Sequence, residues 1–251
     1  MNNRINIRRG VKQGSVQSPV IFNNAIRSAT RHLPPYLIEP YVDASHLSYT
    51  DDALLLSDDL QGLQKAVDSV CTALDGFGLS VASSKTELLV FGSGSQQSPN
   101  AAIQVSPITV FASSSLKYLD LPFGSSIKAT RTLIINSLKE KLRKSYGLLA
   151  RVKGQFDKRT LGRLYNSFYA PHVLFLISVW RLFSQSERKQ IHSAFFRFCK
   201  YFLCIPIWMR NSYISRCYGM FEICEKMDIL ATKFRERCDR AVDFPIPCIL
   251  N

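Results

Sequence analysis

Apolar residues between positions 60 and 78, LQGLQKAVDSVCTALDGFG, fall at Leu60, Leu63, Val67, Val70 and Leu74, the three-and-four spacing that lays one stripe along a helix. Gly76 and Gly78 mark its end. A second helix is predicted over SPVIFNNAIRSATRHL, residues 18–33, with Ser18 as N-cap and Pro19 at the first helical position, where a missing N–H is not needed. Pro34, Pro35 and Pro40 break it. Residues 46–57 read as two short strands about a Tyr49-Thr50-Asp51-Asp52 turn. Strands are also predicted within TELLVF (86–91), IQVSPITVF (103–111) and LKYLDLPF (116–123), with GSGSQQSPNA (92–101) as a surface loop.

From Ile127 the texture changes. Ile134, Leu138, Leu142, Tyr146 and Leu149 keep helical spacing, and further helical segments follow, among them APHVLFLISVW (170–180), read as a buried helix. The expected architecture is α+β over residues 1–126 and all-helical over 127–251.

The chain has 251 residues, 46% of them apolar, enough for a packed core and too apolar for a disordered chain. No stretch reaches the eighteen or so apolar residues of a membrane span. The first ten residues lack the apolar run of a secretory signal, so an intracellular protein, nuclear or cytoplasmic, with no membrane partner is expected. Six of seven cysteines lie in the last quarter of the chain and none forms a C-x-x-C pair. Reduced core thiols are the expectation, the late spacings fitting no standard closed zinc site.

Lys and Arg number 32 against 19 Asp and Glu, a net charge of +13, which favours a polyanionic partner. The surplus is concentrated. Lys128, Arg131, Lys139, Lys141, Arg143, Lys144, Arg151, Lys153, Lys158, Arg159 and Arg163 face only Glu140 and Asp157 between residues 128 and 163. Solvated helix faces mix both signs, so this one is expected to meet a phosphate backbone.

Asp51 and Asp52 sit between apolar runs. An Asp pair in that position is ordinary turn chemistry when taken alone. Four stretches in order change its weight: RRGVKQGSVQSPVIFNNAI (8–26), SYTDDALLLSD (48–58), GLSVASSKTELLVFG (78–92) and LKYLDLPFG (116–124). In order and spacing they resemble the later motifs of the reverse transcriptase domain of non-LTR retrotransposons. RLYNSFYAPHVLFLISVW and FFRFCKYFLCIPIWMRN look like the thumb and connecting region of the same elements. The resemblance implies a partial polymerase palm, a mixed sheet with helices, followed by a helical thumb-like region.

It also implies an RNA-directed DNA polymerase working on an RNA template, a DNA primer or RNA–DNA hybrid, and a dNTP. Asp51 and Asp52 match the catalytic turn that holds Mg2+ in a two-metal site, the cations about 3.5–4 Å apart; the resemblance places Tyr49 under the primer terminus. Gln13 and Gly14 match a segment contacting template and nucleotide, although Gly14 by itself is equally an ordinary turn residue. Lys85 matches a lysine near the triphosphate, a charge clamp or general acid, and by itself reads as a surface lysine. Lys117 and Tyr118 match a hairpin that grips the primer end. Asp43 lies out of order for a third carboxylate and reads as a loop acid.

Three departures stand out. Asp120 replaces a usual Gly, Ala82 replaces a usual Asn, and the motif bearing the other metal-binding Asp, expected upstream of residue 8, has no counterpart. The chain is therefore expected to be an N-terminally truncated polymerase, lacking fingers, with an incomplete magnesium site, negligible activity alone and an exposed sheet edge. A non-catalytic nucleic-acid-binding remnant that uses the basic helical half is the competing expectation.

Overall fold

The computed structural model describes residues 16–33, 37–39, 42–43, 46–92, 100–151, 156–218 and 222–243. The chain divides into two compact units, Met1–Ser126 and Ile127–Asn251. The first mixes small sheets with helices and the second is helical.

In the first unit, α1 (Ser18–Thr30) precedes a short antiparallel pair, β1 (Leu37–Glu39) and β2 (Val42–Asp43). Gln17 is the N-cap of α1 in place of Ser18. Its backbone is already helical (φ −83°, ψ −22°) and no side chain caps it, so Ser18 is carried into the first turn. Asp43, expected in a loop, belongs to strand β2. Next come β3 (His46–Tyr49) and β4 (Asp52–Leu55), then α2 (Leu60–Gly76).

Helix α2 starts where Asp59 accepts the Gly62 N–H at 2.6 Å and ends at Gly76 with Phe77 as C-cap, the chain turning away at Gly78, whose φ of +71° suits glycine. Val67, Val70 and Leu74 are buried as the stripe requires, whereas Leu60, in the first turn, stays exposed. The TELLVF segment yields only the two-residue β5 (Leu88–Leu89). It runs parallel to β7 (Ile108–Ser113), which pairs antiparallel with β6 (Ala102–Val105). A last hairpin joins β8 (Ser115–Tyr118) to β9 (Leu121–Gly124).

The strands form four separate small sheets, of which β5-β7-β6 is the largest. Helix α2 covers that sheet, packing Val67 against Leu88, Ile103 and Val105. The Gln64 side chain spans to β6, accepting the Gln104 N–H at 2.7 Å and donating to its carbonyl at 2.9 Å. On another side, Val70 and Leu74 meet Ala29 of α1. Leu55, the last residue of β4, packs into both clusters.

The second unit contains α3 (Ile127–Ala150), α4 (Lys158–Phe168), α5 (Ala170–Leu174), a 3₁₀ segment (Phe175–Leu182), α6 (Gln185–Phe202), α7 (Asn211–Tyr218) and α8 (Ile223–Asp243). Ile134, Leu138 and Leu142 of α3 are buried, and Tyr165, Tyr169, Phe195, Phe196 and Phe202 supply an aromatic core. The APHVLFLISVW stretch is not one α-helix. It tightens to 3₁₀ winding after Leu174, and burial at Val173, Leu176, Trp180 and Phe183 follows that near-three-residue period. The Trp180 indole donates to Asp228 Oδ1 at 2.7 Å, and the Arg188 guanidinium lies 5.5 Å from its ring centre. Of the described cysteines Cys199 is buried, while Cys204, Cys217 and Cys238 are exposed, so core thiols describe only part of the set.

Leu→Ala at buried sites costs about 2–5 kcal/mol. For half-buried Leu55, shared by two clusters, Leu55→Ala is expected to destabilise the chain by about 2 kcal/mol in urea unfolding. Leu60→Ala, on an exposed position of α2, is expected to change stability by under about 0.5 kcal/mol.

Candidate active site

Strands β3 and β4 pair Tyr49 with Asp52, Ser48 with Ala53, Leu47 with Leu54 and His46 with Leu55. The connection is the two residues Thr50 and Asp51. Because strand side chains alternate, His46 and Leu55 share one face and Tyr49 and Asp52 the other. The first face is the anchored one: Leu55 enters the core, and His46 Nε2 lies 3.0 Å from Thr30 Oγ1 on α1. That leaves the tip and the opposite face for chemistry. Tyr49 is 62% exposed, and both acids are exposed.

Thr50 holds φ at +53°, a left-handed conformation unfavourable to a β-branched residue and costing on the order of 1–3 kcal/mol. Its hydroxyl donates to Asp51 Oδ1 at 2.9 Å. That bond, a bond from the Asp51 backbone N–H and the nearby Lys85 charge hold the Asp51 carboxyl below its ordinary range. Asp51 is therefore an anion throughout neutral pH, the state a hard cation requires.

Lys85 stands in a 3₁₀ turn, Ser83–Lys85, whose N-cap is Ala82 and which no side chain caps. It is exposed, and its charge acts on Asp51 although the two are far apart in sequence. Tyr118, in β8, donates its hydroxyl to the Leu47 carbonyl at 3.3 Å. Partial burial and then the Asp52 charge push its phenol upward. Lys85 thus lies near enough for its charge to act on Asp51, and Tyr118 near enough to feel the charge of Asp52.

Lys117 occupies a neighbouring position. Its backbone N–H donates to Glu87 at 3.3 Å, and its ammonium pairs with Asp120 at 2.5 Å. Asp120 and Leu119 form the two-residue tip of the β8–β9 hairpin, with φ of +64° and +48°. Positive φ at both residues is the geometry of a type I′ turn, and Asp tolerates it better than most non-glycine residues. The charge placed there by replacing a usual Gly is met by Lys117. Gln13 and Gly14 lie outside the described residues.

Sequence reasoning missed Thr50, Glu87 and Leu55. Thr50 carried a signal, since a β-branched residue in a two-residue hairpin loop is out of place. No third His, Cys, Asp or Glu joins Asp51 and Asp52 among the described residues, and residues 1–38 contain neither Asp nor Glu.

Residues 1–123 match the family model for reverse transcriptase (RNA-dependent DNA polymerase). The match, 123 of 251 residues, takes in Asp51, Asp52, Lys85, Lys117 and Tyr118. Substrates of that domain are nucleic acid and deoxynucleoside triphosphates. No curated protein and no solved structure matches the chain. Among the described residues no helix is long and apolar enough to cross a membrane.

Removing the Thr50 hydroxyl without its shape tests the electrostatics of the β3–β4 hairpin. In Thr50→Val the Asp51 carboxyl is expected to titrate closer to the ordinary Asp value, as read by carbon-detected NMR. The sign for stability follows from the lowered folded value. The Asp51 contribution is complete above the unfolded Asp pKa and lost as pH falls through the folded one, so the acid limb of a melting-temperature profile is expected to be shallower in Thr50→Val.

Proposed function

We propose that the Asp51–Asp52 hairpin is the magnesium-holding turn of a non-LTR retroelement reverse transcriptase, acting on an RNA template, a DNA primer or RNA–DNA hybrid, and a dNTP. The observation that carries this reading is the exposed pair of acids at a core-anchored tip, one held ionised beside Lys85, the other beside Tyr118. The donor set suits a hard divalent cation. Carboxylate oxygens are its preferred ligands, and Mg2+ commonly takes one or two of them with water and substrate phosphates for the rest.

Held by Asp51 and Asp52, Mg2+ would supply activation of the primer 3′-hydroxyl and charge neutralisation at the triphosphate. The chain's own groups have separate tasks. Asp51 and Asp52 supply ligand oxygens, and Lys85 meets triphosphate charge or gives a proton to the leaving pyrophosphate. Tyr49 and the Lys117–Tyr118 hairpin hold the primer end, with Gln13 and Gly14 against template and nucleotide. Two carboxylates are half of a two-metal donor set, and each missing electrostatic element costs ~10²–10³ in rate. Activity of this chain alone is accordingly negligible.

A second reading, nucleic-acid binding by the helical half without catalysis, is favoured by one face of α3. Lys139 and Arg143 are exposed there one turn apart, with Lys128 exposed about three turns before them. The stretch is less uniformly available than its composition suggests. Arg131 is drawn toward Glu187 at 3.5 Å and the Leu182 carbonyl at 3.1 Å, and Lys144 pairs with Glu140 at 2.8 Å.

Primer extension by the purified chain with Mg2+ is expected to equal an Asp51→Ala control, and Mn2+ is expected to broaden the backbone resonances of Thr50–Ala53 in the parent but not in Asp51→Asn. Extension well above the control would refute the inactivity, and resonances unmoved by Mn2+ would refute the metal site. Hybrid binding that falls steeply with salt and ignores both Mg2+ and Asp51 would favour the second reading.

A further inference from the structure

A second basic stretch of sequence follows later in the helical unit, where α6 packs on α3 through Tyr146 and Tyr201. Between Glu187 and Glu222 the sequence has no acid, while Lys189, Arg197, Lys200, Arg210 and Arg216 are basic; in the fold Arg188 is paired with Asp228 at 3.1 Å, and Glu222 meets His192 of α6 and Ser215 of α7. At the centre of the stretch is the loop from α6 to α7, which displays the most exposed aromatic among the described residues, Trp208 at 82%. Tryptophan is highly buried on average. Trp180, the other tryptophan of this chain, is fully buried.

The loop is braced. Lys200 is a buried lysine, 8% exposed, and its ammonium donates to the Ile207 carbonyl at 2.9 Å, next to Trp208. Burying an ammonium is unfavourable unless it is bonded, and this one spends its charge on fixing the loop. Ile205 N–H donates to the Lys200 carbonyl at 2.8 Å and Met209 N–H to the Pro206 carbonyl at 3.1 Å. Cys204 takes up the sharp reversal at the end of α6 with φ of +54°. The indole is thus held outward by a shaped turn. Tyr201 on the last turn of α6 and Tyr213 on the first turn of α7 are also exposed, at 44% and 56%, as are Arg197, Arg210 and Arg216.

Exposed aromatic faces interleaved with arginines are the combination that binds unpaired bases, since every base has a face to stack and every phosphate a charge to meet. We propose that the α6–α7 loop is a stacking platform for single-stranded nucleic acid, with Trp208 as the stacking residue and Arg210 as a phosphate contact. An anionic membrane is the other surface that takes tryptophan and arginine. It fits less well, because an interfacial membrane anchor presents a broad apolar helix face, whereas here the exposed apolar residues on the loop are Ile207 and Trp208.

The test uses the full chain in EDTA, so that its failure and that of the carboxylate reading are distinguishable. An oligo-dT of about 15 nucleotides, the span of one single-strand site, is titrated while tryptophan emission and oligonucleotide anisotropy are followed. Emission is expected to be quenched. Trp208→Ala is expected to weaken binding about tenfold with an unchanged melting temperature, and Trp208→Phe to retain most of it. Arg210→Gln is expected to lower the slope of log affinity against log salt by about one. Equal affinity of Trp208→Ala and parent would overturn the proposal. So would quenching by phosphatidylserine vesicles with none by oligo-dT, or a duplex of the same length that depends on Trp208 as strongly.

Discussion

A two-stranded hairpin in water barely holds itself together, and among the described residues the β3–β4 hairpin has no third strand. Its persistence depends on what grips its base. Leu55 inserts into both apolar clusters around α2, His46 meets Thr30, and the Tyr118 hydroxyl bonds the Leu47 carbonyl from the outer side. One apolar anchor and two polar ties, all below the turn, let the tip be charged and exposed without drifting. The same arrangement fixes the side on which Asp52 lies, because a one-residue slip would turn Leu55 out of the core and Asp52 into it.

Anchoring at the base allows strain at the tip. Thr50 is forced into a left-handed conformation and answers by bonding Asp51. A glycine would relieve the strain and lose the bond. The β8–β9 hairpin makes the complementary choice, accepting positive φ at Leu119 and Asp120 and using the aspartate to hold Lys117. Neighbouring hairpins thus treat charge in opposite ways: one leaves its pair of acids exposed, the other closes its charge in an ion pair.

The α+β division and the main helices were legible because their signals are periodic. Val67, Val70 and Leu74 repeat at helical spacing and are buried, and Ile134, Leu138 and Leu142 do the same in α3. What escaped was set by tertiary context. Leu60 continues the α2 stripe yet lies outside, since the first turn overruns the sheet it covers. The stretch after Pro171 reads as one apolar helix, but it takes up 3₁₀ winding from Phe175, where the buried Trp180 bonds Asp228 far along the chain. Arg131 counts as a surface cation in composition and turns inward to Glu187. At the site, the Asp pair could be found from the chain itself, whereas its neighbours Lys85 and Tyr118 came only through the motif resemblance. No local spacing announces that residues so distant in sequence meet. Thr50 and Leu55 were hidden for a related reason: the strain of the first and the double packing of the second exist only in the folded chain.

The central claim is that the anchored tip presents Asp51 and Asp52 as ligands for a divalent cation carrying a nucleotide. Anomalous diffraction from crystals grown with Mn2+ and a deoxynucleoside triphosphate measures this directly. The account predicts a peak at carboxylate coordination distance, about 2.1 Å, from oxygens of Asp51 and Asp52, with triphosphate density bridging toward Lys85. Density for the nucleotide and metal elsewhere on the chain, with both carboxylates bare, would contradict it.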